Sequence, residues 1–582
     1  MIYVAFTKED FICFSELISA EDIILAFTDC FSVKGVKHAY DVSDAEVNWG
    51  EQVALVRKFF TELSEHKEVD LNGYANNFFE CSIRLSVQYI ESLKLHSSQH
   101  CKVIFADRLF GKGRPNYYLS EHESQGQLMY NRKFALQSTV EKAVESLGLE
   151  IKYLSRKFNY QKLSNTLRDT AVFSMRLLQA LRANLTQKQH MSIEPLEITP
   201  FYAVLRTQAQ FFAVKQILES STIPFTIICA DTFVQRKLFY VVNEWACSQS
   251  LIRVVKLPEA NFWLTIKTYL KTFYLSIKSC NKLFSGDGFT VNVKQACREV
   301  IIMSADLELY QNRLARLLPI GQNNSVFLTC EQKSPHAYTE INVAKNKGYR
   351  TIQVMACDQE ANDLPLPAVA DIFLTDTLKR KELFESRWSS KTSSLKYLGP
   401  IRLSEEKTVK VTNKNEFEVC YFSHVTEINQ NKKIIQLLEK IKTQSKSFNY
   451  CIKVHPRDSG SWLKGSSVDE NIVFTSSNIT NDELYEKFKI AISNPSAVVM
   501  ELLCHFKPFI FIDTIESYKN IDFVSCDEMY AGYTKSIDAI PELLSDKYDL
   551  YSEVRDLHAR VFGSSVSAVS QRDLVSIFEC RS

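Results

Sequence analysis

The chain has 582 residues, 45% of them hydrophobic and 24% charged, with 69 Lys and Arg against 68 Asp and Glu. That length exceeds one hydrophobic core, so two or three domains are expected, and the near-zero net charge gives no global footprint for nucleic acid. The fifteen cysteines run singly from Cys13 to Cys580 without C-x-x-C or zinc-type spacing, which reads as reduced thiols and a cytoplasmic protein.

The first residues, MIYVAFTKEDF, carry acids by position 9 and lack a basic stretch followed by an apolar one, so no signal peptide is expected. No run of 18 apolar residues suggests a membrane span. Residues 1–190 open with a strand-like run, Ile2 to Phe6, and then show mostly helical periods: Trp49 to Ser64, Asn77 to Leu95, Tyr130 to Leu147 and Leu163 to Leu185. A second strand-like run, Cys101 to Ala106, interrupts them. The Gly-Lys-Gly at 111–113 lacks the spacing of a phosphate loop and reads as a basic loop. The region is expected to be a mostly helical accessory domain that binds an acceptor or partner.

A polar segment with proline, Gln187 to Pro200, marks a boundary. Beyond it strands alternate with helices: Phe201 to Leu205, Phe225 to Ala230, Leu251 to Leu257, Ser325 to Thr329, Thr351 to Met355 and Asp371 to Leu374. Alternation of this kind means a parallel α/β sheet, here over 195–395. Within it, Asn261 to Phe284 places Lys267, Lys271, Lys278 and Lys282 along a helix rich in aromatic residues. Such a helix is either a core helix with a solvated lysine face or a basic amphipathic segment in peripheral contact with the inner face of a membrane.

Past Leu398-Gly399-Pro400 a second unit of the same kind fills 396–582. Its strands are Glu418 to Phe422, Tyr450 to Val454, Asn471 to Thr475, Lys489 to Ile492 and Pro508 to Ile512. Ligands of such sheets bind at the carboxyl ends of the strands, where His455, Ser476, Ser477, Ser493 and Ser496 fall.

The ordered set Phe422-Ser423-His424, Lys453-Val454-His455-Pro456-Arg457 and Ile492-Ser493-Asn494-Pro495-Ser496, with Glu501 and Lys507-Pro508, resembles the carboxy-terminal lobe of bacterial GT-B glycosyltransferases that build surface polysaccharide. It is most similar to the group containing polysialyltransferases, capsule Kdo transferases and CDP-glycerol glycerophosphotransferases. Thr329-Cys330-Glu331 and the turn Lys347 to Thr351 are similar to the preceding lobe of the same group. The resemblance covers about 195–520 and implies an α/β fold of two Rossmann-like lobes facing a cleft. It implies transfer of a sugar from a nucleotide-activated donor, first a CMP-linked acidic sugar of the sialic-acid or Kdo kind, onto a glycan, glycolipid or protein acceptor. The alternatives are a UDP-sugar or CDP-glycerol transferase, a nucleotide-sugar 2-epimerase, and a non-catalytic binding protein of the same fold.

The chemistry sets what the residues should do. As the glycosidic bond breaks, charge builds on the departing nucleotide phosphate and calls for preorganised donors and a proton. His455 follows a strand and can donate to a phosphate oxygen near neutral pH; by resemblance it is the catalytic histidine. Lys453, Arg457, Ser423, His424, Ser493, Asn494 and Ser496 are expected around the donor, the serines at a helix N-terminus suited to phosphate. Ser493 or Asn494 equally suits the cap of that helix. Glu501 would hold ribose hydroxyls, or else stand as an exposed glutamate. The catalytic base should be a carboxylate at a strand end of the preceding lobe: Glu331 first, with Asp231, Asp358 and Asp376 as competitors. The acidic pair followed by glycine that marks polysialyltransferases is absent. No Asp-x-Asp motif stands out, so neither a metal nor a further cofactor is expected.

Overall fold

The computed structural model describes residues 1–6, 8–26, 39–42, 84–107, 132–155, 199–219, 223–230, 238–249, 251–258, 260–279, 293–322, 324–330, 335–355, 369–387, 394–397, 416–424, 428–455, 460–463, 468–475, 481–494, 496–513, 529–545 and 547–562, with a few isolated positions between. Three separate all-parallel sheets account for its strands.

The first sheet is built from β1 (Ile2–Val4), β2 (Ile23–Ala26), β3 (Ala39–Asp41), β4 (Lys102–Asp107) and β5 (Glu150–Ser155), in the order β3-β2-β1-β4-β5. Helices α1 (Lys8–Ser15), α2 (Arg84–Ser97) and α3 (Arg132–Ser146) accompany it. Beside the helical segments expected of this region, the described residues carry a five-stranded parallel sheet that was not expected. The two strand-like runs of the sequence, Ile2 to Phe6 and Cys101 to Ala106, supply its paired strands β1 and β4. Trp49 to Ser64 and Gly111 to Gly113 lie outside the described residues.

The second sheet runs β12-β11-β10-β9-β6-β7-β8. Its strands are β6 (Phe201–Leu205), β7 (Phe225–Cys229), β8 (Ile252–Lys256), β9 (Val326–Cys330), β10 (Arg350–Val354), β11 (Ile372–Thr375) and β12 (Ser394–Tyr397). The runs FYAVL, FTIIC and VFLTC are buried at every position, as expected of parallel strands covered on both faces. The helices are α4 (Gln208–Glu219), α5 (Leu238–Ala246), α6 (Phe262–Ser279), α7 (Val293–Leu317), α8 (Pro335–Asn346) and α9 (Leu378–Arg387). Between α8 and β10 the chain turns on Gly348, whose φ of 85° is the left-handed conformation that glycine adopts without strain. There Tyr349 N–H bonds Ala344 O at 3.0 Å and Gly348 N–H bonds Lys345 O at 2.9 Å, which closes the helix in a Schellman motif.

The third sheet runs β15-β14-β13-β16-β17-β18, the strand order of a dinucleotide-binding Rossmann sheet. It contains β13 (Phe417–Phe422), β14 (Tyr450–Lys453), β15 (Val473–Phe474), β16 (Phe488–Ser493), β17 (Phe509–Ile512) and β18 (Tyr533–Thr534). Helices α10 (Ile428–Gln444), α11 (Asn481–Tyr485), α12 (Ala497–Cys504), α13 (Ile540–Ser545) and α14 (Lys547–Phe562) follow their strands or close the unit. Helix α14 packs on α12 of its own unit and on α9 of the preceding one. The Tyr397 hydroxyl at the end of β12 donates to Phe562 O at the end of α14, so the last described helix ties the second and third units together. The sequence thus folds as the two Rossmann-like units expected of it.

Candidate active site

In a doubly wound sheet the crevice opens where the strand order reverses, at the carboxyl ends of the strands on either side. In the third sheet that point lies between β13 and β16. Register places Phe422, Lys453 and Ser493 in one row across β13, β14 and β16. The next positions, Ser423 and Asn494, flank the reversal. His424 and His455 leave neighbouring strands two residues beyond that row.

Ser423 clamps the end of β14 at two points. Its N–H donates to Lys453 O at 3.0 Å, and its Oγ accepts from the backbone N–H of His455 at 3.1 Å. The His455 backbone is therefore fixed while its ring stays partly exposed. Beside it, burial and then the charge of His455 push His424 down to about 3, so His424 is neutral near pH 7 and does not repel a protonated neighbour.

One residue holds His424 in place. The Asn431 side chain on α10 is wholly buried; its Oδ1 accepts from His424 N–H at 3.0 Å and from the Tyr421 hydroxyl at 2.6 Å, and its Nδ2 donates to His424 O at 2.7 Å. Sequence reading missed Asn431 because it lies inside a helical segment, away from any strand end.

Lys453 differs from both readings open to it, phosphate ligand or solvated lysine. It is buried, and its Nζ donates to Thr475 O at 3.1 Å and to Ile479 O at 2.9 Å. Desolvation lowers its pKa. These bonds tie β14 to the carbonyls of Thr475 and Ile479, so Lys453 acts on the backbone of its own unit.

Across the reversal, Ser493 and Asn494 are buried, Ser493 Oγ donates to Asn494 O at 2.9 Å, and Asn494 Nδ2 donates to Ile512 O at 3.0 Å. Asn494 Oδ1 is buried with no hydrogen-bond partner among the described residues. As an acceptor it suits a ligand hydroxyl or amine rather than a phosphate oxygen. The cap of α12 is Ser496, with extended φ and ψ of −162° and 152° and a side chain that accepts from Val498 N–H. Ser496 is partly exposed at the positive end of α12, which suits an anion. Glu501, one turn further, is not a solvated glutamate: its Oε2 accepts from Asn481 Nδ2 at 2.9 Å and from the Tyr485 hydroxyl at 2.7 Å. The structure thus brings Ser423, His424, His455, Ser493, Asn494 and Ser496 to one edge. Arg457, Ser476 and Ser477 lie outside the described residues.

The second sheet reverses between β6 and β9, and a buried charged cluster occupies that point. Arg206, the residue after β6, pairs through Nε with Glu340 Oε1 at 3.0 Å and donates from Nη2 to Cys330 O at 3.1 Å. Glu340 also accepts from the Tyr310 hydroxyl at 2.6 Å and from Thr329 Oγ1. Desolvation and the positive charges of Arg206 and Arg313 push His336, on the first turn of α8, down to about 3. These groups carry no sequence motif and meet only in the fold. Glu331, Asp231 and Asp358 lie outside the described residues. Asp376 is held by the buried Arg380 guanidinium. Among the described residues no three His, Cys, Asp or Glu side chains are grouped to hold a metal ion.

No protein-family model matches the chain, and no curated protein does. Solved structures are similar at low identity. LpCGTa in complex with UDP is 12% identical with a TM-score of 0.42, covering 66% of this chain and 100% of its own. TarM is 10% identical with a TM-score of 0.40 over 66% of this chain and 100% of its own. The S. aureus MnaA–UDP structure is 9% identical with a TM-score of 0.39 over 65% of this chain and 94% of its own.

Proposed function

We propose that the chain is a glycosyltransferase that binds a nucleotide-activated sugar on the carboxyl edge of its third sheet and transfers the sugar to an acceptor brought by the second. The observation that supports this most is that His455, Ser423, His424, Asn494 and Ser496 leave neighbouring strands at the carboxyl edge around the β13/β16 reversal, with His455 fixed at its backbone and the N-terminus of α12 following β16.

Each residue has a task in this reading. The positive end of α12 and Ser496 seat the phosphate, His455 donates a proton to the phosphate oxygen that leaves, and Asn494 Oδ1 takes a hydroxyl or amine of the nucleotide. Glu501, held by Asn481 and Tyr485, accepts from ribose hydroxyls. A carboxylate of the second unit, Glu331 by our assignment, takes the acceptor proton, so one glycosidic bond breaks as another forms and each proton has a destination. No metal is needed, since His455 and the helix end neutralise the leaving group. The donor we assign from the His455-Pro456 motif is CMP-linked, an acidic sugar of the sialic-acid or Kdo kind; UDP, the nucleotide of the LpCGTa and MnaA structures, is its competitor. The reaction belongs on the cytoplasmic side, with a glycan, glycolipid or protein as acceptor.

The test is nucleotide release from CMP-sialic acid, CMP-Kdo and UDP-N-acetylglucosamine with oligosaccharide acceptors. His455→Ala should reduce turnover at least about a thousandfold while nucleotide affinity changes little. Equal turnover by the variant would remove the assignment.

A further inference from the structure

Helix α6 wears its bulk on the outside. Trp263, Lys267, Leu270 and Tyr274 recur at steps of four, three and four residues and form one stripe. Trp263 is 74% exposed, Leu270 55% and Tyr274 61%, and Lys267 is exposed between them. The opposite side is the one folded inward: Thr265, Thr268, Tyr269 and Thr272 are buried, with Tyr269 in a cluster with Phe173, Ala305 and Leu309. The inner side has its own apolar share in Tyr269, Leu264 and Phe273, so the tryptophan, leucine and tyrosine outside are a second apolar face where folding in water selects polar residues. The stripe therefore has a use other than packing.

Charge identifies the occupant. Over Phe262–Ser279 the helix carries Lys267, Lys271 and Lys278 and no acid. Lys271 Nζ lies 3.8 Å from Glu308 of α7, a carboxylate that is almost wholly buried. Two-fold pairing with a second copy would set one lysine-bearing stripe against another, which disfavours a dimer. A bilayer offers the matching surface: indole and phenol rings settle at the headgroup boundary, leucine enters the acyl region, and lysines meet lipid phosphates. At 1.5 Å per residue the 18-residue helix presents a line of about 27 Å to such a plane.

We propose that the Trp263–Lys267–Leu270–Tyr274 face of α6 docks the protein on anionic phospholipid. No described helix is long and apolar enough to cross a membrane, so α6 lies on the surface. The proposal does not depend on the enzymatic reading, and its readout is not catalysis.

The experiment is co-sedimentation of the full chain with vesicles of phosphatidylcholine alone or mixed equally with phosphatidylglycerol. The wild type should bind the mixed vesicles, at least about tenfold more weakly in 0.5 M salt and on phosphatidylcholine alone. Trp263→Ser/Leu270→Ser/Tyr274→Ser should lose binding at unchanged circular dichroism, and Lys267→Glu alone should weaken it several-fold, which keeps the test open should the triple variant misfold. Equal binding by Lys267→Glu and wild type, or no binding of the wild type, overturns the proposal. So does a concentration-dependent dimer, without vesicle binding, that either variant abolishes.

Discussion

The backbone N–H of His455 donates to Ser423 Oγ at 3.1 Å, while Ser423 N–H donates to Lys453 O at 3.0 Å. One serine at the end of β13 thereby sets where the candidate catalytic histidine leaves β14. Ser423→Ala removes the acceptor and keeps the strand pairing. We expect a loss of about 1 kcal/mol in stability and of about tenfold or more in turnover, with Kd for nucleotide nearly unchanged. Kinetics beside a denaturant titration check both, and full activity would show that the clamp does not position His455.

Asn431 should matter more to stability than its place in a helix suggests. Asn431→Leu would remove three buried hydrogen bonds, one from the Tyr421 hydroxyl and two with the backbone of His424, a loss of about 2–4 kcal/mol. Urea unfolding measures it. A change below about 0.5 kcal/mol would mean that these groups find other partners.

The Arg206–Glu340 pair is buried on both sides. Glu340→Ala should destabilise by about 3–5 kcal/mol because a buried guanidinium loses its counter-charge, and Arg206→Met/Glu340→Leu should recover much of that loss. A double-mutant cycle reports the coupling. Independent, additive effects would contradict the pairing.

Stability should also fall on mild acidification. Burial lowers His424 and His336 to about 3 and His558 to about 4, whereas all three titrate near 6.5 when unfolded. Below pH 6.5 the unfolded chain therefore binds more protons than the folded one, so stability is full above 6.5 and declines as pH falls toward 4. Three such groups give a slope approaching about 4 kcal/mol per pH unit near pH 5. His558→Phe, in a pocket already shared with Phe506 and Phe562, should remove about a third of that slope, as pH-dependent unfolding would show. A flat profile from pH 7 to 5 would contradict the burial of these rings.

The second and third sheets were legible because their central strands, such as FYAVL and FTIIC, are short unbroken apolar runs bounded by turns, and only parallel strands buried on both faces have that composition. The first sheet was legible only at β1 and β4. Its edge strand β5, EIKYLS, alternates polar and apolar residues and is half exposed, and β2 and β3 span four and three residues, too short for a period to register. At the candidate site, His455 and Ser493 could be placed at strand ends from pattern, and Ser423 and His424 followed from the resemblance. What they do could not: the burial of Lys453, the grip of Asn431 on His424 and the Arg206–Glu340–Tyr310 cluster depend on side chains distant in sequence. For α6 the sequence left two readings open, a core helix with a solvated lysine face and a basic amphipathic one, because its aromatic residues resemble core until their exposure is known.

The most direct test of the account is calorimetric titration of the full chain with CMP, CDP, UDP and GDP. It predicts one site that binds CMP best and loses about tenfold in affinity in Ser496→Ala, where the phosphate seat at α12 is weakened. Absence of binding by all four nucleotides, or binding that Ser496→Ala leaves unchanged, would contradict the assignment of the β13/β16 edge as a donor site.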